Sequence, residues 1–234
     1  MQSLLLKLSG EALAGEAGFG IDPNVLQGLS ADISQLHSSG VKVGVVLGGG
    51  NIFRGQALQA HGLDRVAGDR LGMLATIMNG IALGDFLNQI DVPNQVFSAS
   101  EISGVVPGYN RDSAKQAMHN GQVVILSGGT GNPYFTTDTA ACLRGIELGV
   151  DAVIKATNTD GVYDSDPNTN PQAVKYDTIT YDEVLQQQLG VMDLTAIVLC
   201  KENNMPLVVC DIASPGILLA LVRGEEVGTR VTQT

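Results

Sequence analysis

The 234-residue sequence predicts an α/β fold with a parallel sheet, and two observations carry that prediction. Short apolar runs alternate with segments of helical periodicity, with no linker, repeat or shift of composition, so one domain over residues 1–234 is the economical reading. Glycines cluster in loops directly after apolar runs, where open α/β sheets place their ligands. There are 29 of them in a chain otherwise globular in composition, 44% hydrophobic and 16% charged, so the excess reads as loop chemistry.

Residues 3–8 (SLLLKL) read as a buried strand holding one lysine, followed at once by Ser9-Gly10-Glu11. An unpaired buried ammonium costs several kcal/mol. Lys7 therefore marks either an edge strand or a charge aimed from the strand's carboxyl end at a phosphate. Residues 15–21 (GEAGFGI) read as a flexible loop. Asp22-Pro23 supplies cap and first-turn chemistry, Val25, Leu26, Leu29, Ile33 and Leu36 keep helical spacing, and Gly40 ends the helix. Residues 41–47 (VKVGVVL) complete a βαβ unit, which requires a parallel pair. They run into Gly48-Gly49-Gly50-Asn51, a turn whose amides suit an anion, with Arg54 as the nearest cation.

Residues 69–90 carry Leu71, Leu74, Ile77, Met78 and Ile81, apolar around most of a helix that is either central or covered by another subunit. Asp69 either caps this helix or accepts from ribose hydroxyls. Residues 94–98 read as a strand, 111–120 as a helix stopped by Gly121, and 122–127 (QVVILS) as a buried strand. Next comes the most informative loop, Gly128-Gly129-Thr130-Gly131-Asn132-Pro133-Tyr134-Phe135-Thr136-Thr137-Asp138. Its glycines let amides approach an anion, and Thr130, Asn132, Thr136 and Thr137 can read a base or sugar edge.

A helix over 139–148 and a strand over 151–156 (DAVIKA) lead into Thr157-Asn158-Thr159-Asp160-Gly161-Val162-Tyr163-Asp164-Ser165-Asp166-Pro167. Asp160-Gly161 and Asp166-Pro167 are turn signals, while Thr157, Asn158 and Tyr163 can embrace a purine. Thr180 and Glu183 have capping-box spacing. A helix follows Asp193, residues 205–210 form a strand, Ser214-Pro215 starts the last helix, and Gly228-Thr229 leads into a terminal strand.

The net charge is −11 and the 13 basic residues are scattered, which argues against nucleic acid as a partner. Cys142, Cys200 and Cys210 are odd in number and lack metal-ligand spacing, so free buried thiols in a reducing compartment are expected. His37, His61 and His119 are isolated. No leader pattern and no apolar run near 18 residues is present, so a cytoplasmic protein without membrane contact is expected. GxxxxGK[ST] and GxGxxG are both missing, while two amide loops with nearby cations imply two phosphorylated ligands. An acceptor that is itself a phosphate arrives anionic and needs no general base.

KLSGE (7–11), GGGNIFRG (48–55), GDRLGMLATIMNG (68–80), GGTGNPYFTTD (128–138), KATNTDGVYDSDP (155–167) and VMDLTA (191–196) together resemble the bacterial uridylate kinases of the amino-acid kinase superfamily. The first two are shared across the superfamily. GDRLGMLATIMNG and GTGNPYFTTD carry the likeness to uridylate kinases in particular. The resemblance implies a three-layer α/β/α sandwich and transfer of a phosphoryl group from ATP, with Mg2+, to UMP. It implies Lys7, Ser9 and Gly10 at the transferring phosphates, with Gly50 and Arg54 on the ATP phosphates. Thr157, Asn158, Tyr163 and Asp166 would surround the ATP nucleoside. Gly49, Asp69 and Thr130 to Thr137 would hold UMP, with Asp69 on the ribose and the threonines and Asn132 near the uracil. Lys7, Arg54 and Asp193 would be catalytic, Asp193 organising the lysine and the magnesium; no protein metal ligand is assigned.

The resemblance also implies a homohexamer, a trimer of dimers, inhibited by UTP. Relatives carry basic residues at an allosteric GTP site where this chain has Gly84, Asn88, Gln95 and Gln122, which argues against GTP activation. Asn158-Thr159 departs from the usual pair at that point, with a possible effect on ATP affinity. A superfamily kinase acting on a carboxylate, and a non-catalytic nucleotide sensor, are the two rival readings.

Overall fold

The computed structural model describes residues 1–55, 61–212 and 216–233. Its strands are β1 (Ser3–Leu8), β2 (Lys42–Leu47), β3 (Asn94–Ser98), β4 (Val123–Ser127) and β5 (Ala152–Thr157), then β6 (Val162–Tyr163), β7 (Lys175–Tyr176), β8 (Thr178–Thr180), β9 (Leu207–Asp211) and β10 (Thr229–Thr232). Its helices are α1 (Pro23–Ser38), α2 (Arg65–Gln89), α3 (Arg111–His119), α4 (Thr137–Leu148), α5 (Tyr181–Gln186), α6 (Leu194–Glu202) and α7 (Ile217–Arg223).

Eight strands form one sheet in the order β3-β4-β2-β1-β5-β9-β10-β8. Only the β9–β10 pairing is antiparallel. The separate β6–β7 pair is an antiparallel arm that the turn-rich composition of that stretch concealed. Because β1 lies between β2 and β5, Lys7 is on a central strand and the edge-strand reading is excluded.

Strand alternation sends successive side chains to opposite faces, and both faces are covered. Leu5, Val46, Leu126 and Val153 pack with Ala114 of α3, Ala141 of α4 and Ile197 of α6. Leu4, Leu6, Val45 and Ile154 pack with Leu26, Ile33, Leu83 and Leu218 of α1, α2 and α7. These are the three layers expected.

Local signals predict most helix starts. Asp22 accepts from the Asn24 amide at 2.8 Å ahead of Pro23, and the Thr180–Glu183 capping box is complete. Two boundaries differ. The stretch after Ser9 is a 3₁₀ helix, Gly10–Ala17, where a loop over 15–21 was expected. Helix α2 begins at Arg65, capped by Asp64, whose carboxylate accepts from the Ala67 amide at 3.1 Å. Asp69 is therefore not the cap. The expected start of the last helix at Ser214-Pro215 lies outside the described residues; α7 is described from Ile217.

By length and composition alone α2 could cross a membrane. Its Asn79, Leu83 and Leu87 are instead buried, while Leu71, Leu74, Met78 and Ile81 are 40–54% exposed. Asn79 and Asn51, both fully buried, exchange reciprocal amide hydrogen bonds of 2.7 and 2.9 Å. Asn79 also donates to the Gly48 carbonyl at 2.7 Å, pinning the triple-glycine turn to α2.

Candidate active site

The site lies at the carboxyl ends of β1, β2, β4 and β5. Register sets Lys7 beside Lys155 on adjacent strands, and alternation points both toward the face covered by α4. Helix α4 opens at this place, with Thr136 as its cap and Asp138 in its first turn. The Asp138 carboxylate meets the Lys7 ammonium at 2.7 Å and the Lys155 ammonium at 3.0 Å. Lys155 also donates to the Val191 carbonyl. Burial by itself would raise the Asp138 carboxyl, but Lys7 and then Lys155 hold it below its ordinary value. Two cations on one buried carboxylate leave a net positive charge facing the loops.

Those loops touch backbone to backbone. A Cβ on Gly10 would lie 2.6 Å from the Gly50 nitrogen and 2.7 Å from the Gly48 carbonyl, so only glycine allows the contact. Arg54 lies over the same junction, exposed, donating from Nε to the Gly50 carbonyl and facing Glu11, each at 3.3 Å. At β4 the chain turns through Gly128 at φ 76°, and the Gly128 amide donates to the Thr76 hydroxyl at 2.8 Å. The third loop is thus fastened to α2 as the second one is.

Two clefts flank Asp138. One, of about 250 Å3, is lined by Gly49, Asp69, Thr130, Phe135, Thr136 and Thr137, expected around UMP, and by Gly50, expected on the ATP phosphates. Arg65, Met73 and Thr76 of α2 line it without having been expected. Gly131, Asn132, Pro133 and Tyr134 belong to the same loop but lie outside this lining. Asn132 instead closes a small turn, its amide donating to the Thr130 hydroxyl at 3.1 Å. The Tyr134 amide donates to Asp69 at 2.7 Å.

The other cleft, about 510 Å3, is lined by Lys155, Thr157, Tyr163, Asp166 and Val191. Tyr163 donates to Asp160 at 2.6 Å, and Lys175 pairs with the same carboxylate at 3.1 Å. Ser9 and Asn158 are not among its lining residues. They share a cavity of about 360 Å3 with Val25, Leu29 and Asp32. Thr157 lines this cavity as well as the cleft, so the two spaces meet at the end of β5.

Asp193 also differs from expectation, because among the described residues no ion pair joins it to Lys7. It caps α6 through the Ala196 amide at 2.9 Å and accepts from the Thr136 hydroxyl. The Thr139 hydroxyl reaches its two oxygens at 2.9 and 2.8 Å. Asp193 thus fixes the start of α4, and Asp138 holds the lysine. Asp138 and Lys155 stand inside the motifs quoted above, but nothing in their local sequence shows that they meet.

Among the described residues, no group of three or more His, Cys, Asp or Glu side chains could hold a metal ion. The carboxylates at the centre are occupied, Asp138 by lysines and Asp193 by hydroxyls and amides. That donor set does not fit a protein-held ion.

A family model described as the amino acid kinase family matches residues 2–211. A protein called uridylate kinase in Alcanivorax borkumensis is 60% identical over 228 residues, covering 97% of this chain and 90% of its own. Another called uridylate kinase, from Marinobacter nauticus, is 58% identical, covering 97% of this chain and 94% of its own. Among solved structures, a UMP kinase from Bacillus anthracis superposes with a TM-score of 0.96 at 36% identity, covering 99% of this chain and 96% of its own. One from Ureaplasma parvum gives 0.94 at 38% identity, covering 99% of each chain.

Proposed function

The chain belongs to the amino acid kinase family and, within it, to the uridylate kinases, and from that premise we propose how its two clefts divide the reaction. The enzyme is a nucleoside monophosphate kinase that transfers the γ-phosphoryl of ATP to UMP, giving UDP and ADP. The cleft with Asp69 and Thr130 is the UMP site, and the cleft with Thr157, Tyr163 and Asp166 holds the ATP nucleoside. The observation that supports this reading is the place of Asp138 between them. Its neighbour Thr137 lines one cleft and its partner Lys155 lines the other.

Phosphoryl transfer depends mainly on positioning and charge stabilisation. Both substrates bring negative charge to the carboxyl end of β1, where Asp138 orients Lys7. Arg54, which among the described residues makes two contacts of 3.3 Å, is placed to swing onto a phosphate with its planar fork. Amides of the Gly48–Gly50 turn supply uncharged donors. Mg2+ belongs to the ATP complex in this reading, held by phosphates and water in place of a protein cage. Ser9 and Gly10 shape the loop at the phosphates, and Asp193 orders the start of α4.

We place the enzyme in pyrimidine nucleotide synthesis, in the cytoplasm, as one domain with UTP as an inhibitor. A homohexamer is supported by the exposed apolar stripe of α2, which suits a dimer face. GTP activation is not part of this reading. Gln95 and Gln122 line an open hollow with Asp112, Ser113, Gln116 and Asn120, a lining with no cation for a triphosphate. Gly84 is buried beneath Val96, with no room for a larger side chain: an added Cβ would lie 2.9 Å from it.

The deciding assay is ADP release from MgATP with UMP, CMP or N-acetylglutamate as acceptor, each with and without GTP. Turnover with UMP and a flat GTP response are expected. Turnover with N-acetylglutamate alone would overturn the acceptor assignment, and silence with all three would favour a nucleotide sensor.

A further inference from the structure

We propose that Arg65 is a positioning residue of the acceptor cleft, with one guanidinium fixing both the Asp69 carboxylate and the Tyr134 turn beside it. The proposal rests on the reading of that cleft as the UMP site. Arg65 is the first residue of α2 and stands one helical turn before Asp69, so the two side chains share a face. Its Nε lies 2.9 Å from each Asp69 oxygen. The Tyr134 amide, 65 residues away in sequence, donates to Oδ2 of the same carboxylate at 2.7 Å. The guanidinium carbon then sits 5.5 Å from the centre of the Tyr134 ring, within cation–π range.

An exposed ion pair one helical turn apart is ordinarily worth little. Three features set this one apart. Asp69 is only 17% exposed, and Asp64 rather than Asp69 caps the helix, so the Asp69 carboxylate has no part in starting α2. Tyr134 has φ 73°, in the left-handed region that a bulky side chain occupies only when its surroundings hold it there. Arg65 and Asp69 grip that residue from both sides, one at the ring and one at the amide.

The acceptor count gives the pair a function. An ionised carboxylate offers about four acceptor positions, two on each oxygen. Oδ2 is filled by Arg65 and Tyr134, and Oδ1 is half filled by Arg65. Among the described residues one position remains, on Oδ1. Asp69 therefore accepts a single sugar hydroxyl, and Arg65 determines which oxygen presents it. Without Arg65 the carboxylate can rotate and the Tyr134 turn can relax, so the same hydroxyl meets a mobile acceptor.

The test is a UMP titration at saturating MgATP for the full chain and for Arg65→Ala, Arg65→Lys, Asp69→Asn and the double Arg65→Ala/Asp69→Asn. UMP binding by calorimetry and circular dichroism of each variant accompany it. Arg65→Ala should raise KM for UMP about tenfold with a much smaller change in kcat, the signature of lost binding in place of lost chemistry. Arg65→Lys, which keeps the charge but not the planar fork, should fall between it and the wild type. The double variant should lose clearly less than the sum of the two single losses, because Arg65 acts mainly through Asp69 and otherwise only at the Tyr134 ring. An unchanged KM in Arg65→Ala, or additive losses in the double variant, would overturn the proposal. If Asp69→Asn raises KM while Arg65→Ala does not, only the role of Arg65 fails. If both are silent, the assignment of the cleft fails with it.

Discussion

Lys7, Asp138 and Lys155 form a cation–anion–cation row across two strands and a helix start, and each member is expected to fail in its own way. Lys7→Ala leaves Asp138 paired to Lys155, so the fold should survive while kcat drops by about 10²–10³, as when a transition-state donor is removed. Stopped-time UDP formation with a circular dichroism control checks this. Asp138→Asn leaves two buried ammoniums facing a neutral amide, and breaking a buried pair in this way costs about 3–5 kcal/mol. A large fall in Tm together with lost turnover is the expected result. The same carboxylate makes stability depend on acid. Its folded value lies below the ordinary 3.8, so its contribution is fully present above that pH and is lost as pH falls through the folded value. Denaturant titrations of wild type and Asp138→Asn should converge over that acid range, and a constant gap would contradict the linkage.

Helix α2 connects two of the three glycine-rich loops at the scale of elements. Asn79 secures the Gly48–Gly50 turn, Thr76 secures the turn after β4, and Asp69 secures Tyr134 further along that same loop. Asn79→Ala would take their donor from the Gly48 carbonyl and the Asn51 side-chain oxygen in a buried place, at a cost of about 1–3 kcal/mol, while Asn51 keeps its hydrogen bond to the Gly20 carbonyl. Because the loosened turn lines the cleft proposed for UMP, KM for UMP should rise as Tm falls, which one titration and one melt would show. A fall in Tm with no change in KM would mean that the turn keeps its shape without this anchor.

The whole molecule carries net charge −11 and leaves Leu71, Leu74, Met78 and Ile81 in a row on α2. Met78, 54% exposed, is the most accessible of them. If the stripe is the dimer face proposed above, Met78→Glu should put charge into it and split that assembly, read as a smaller mass by light scattering. An unchanged mass would place the subunit contact elsewhere. Alternating elements, the capping residues at Asp22 and Thr180 and the βαβ unit at the start are all written within a few neighbouring residues, and the sequence determined them without help. It also marked the three loops, because glycine after an apolar strand is a local signal. Which side chains meet was decided only by the tertiary structure. The order β4-β2-β1-β5 put Lys7 beside Lys155, and α4 brought Asp138 to both. Packing placed Asn158, just past the end of β5, in a cavity with Ser9 and not in the cleft proposed for the nucleoside, and the true cap of α2 at Asp64 released Asp69 for Arg65 and Tyr134. Ion pairs and acceptor positions depend on ångström distances between segments far apart in the chain, and those distances are set by how whole layers pack.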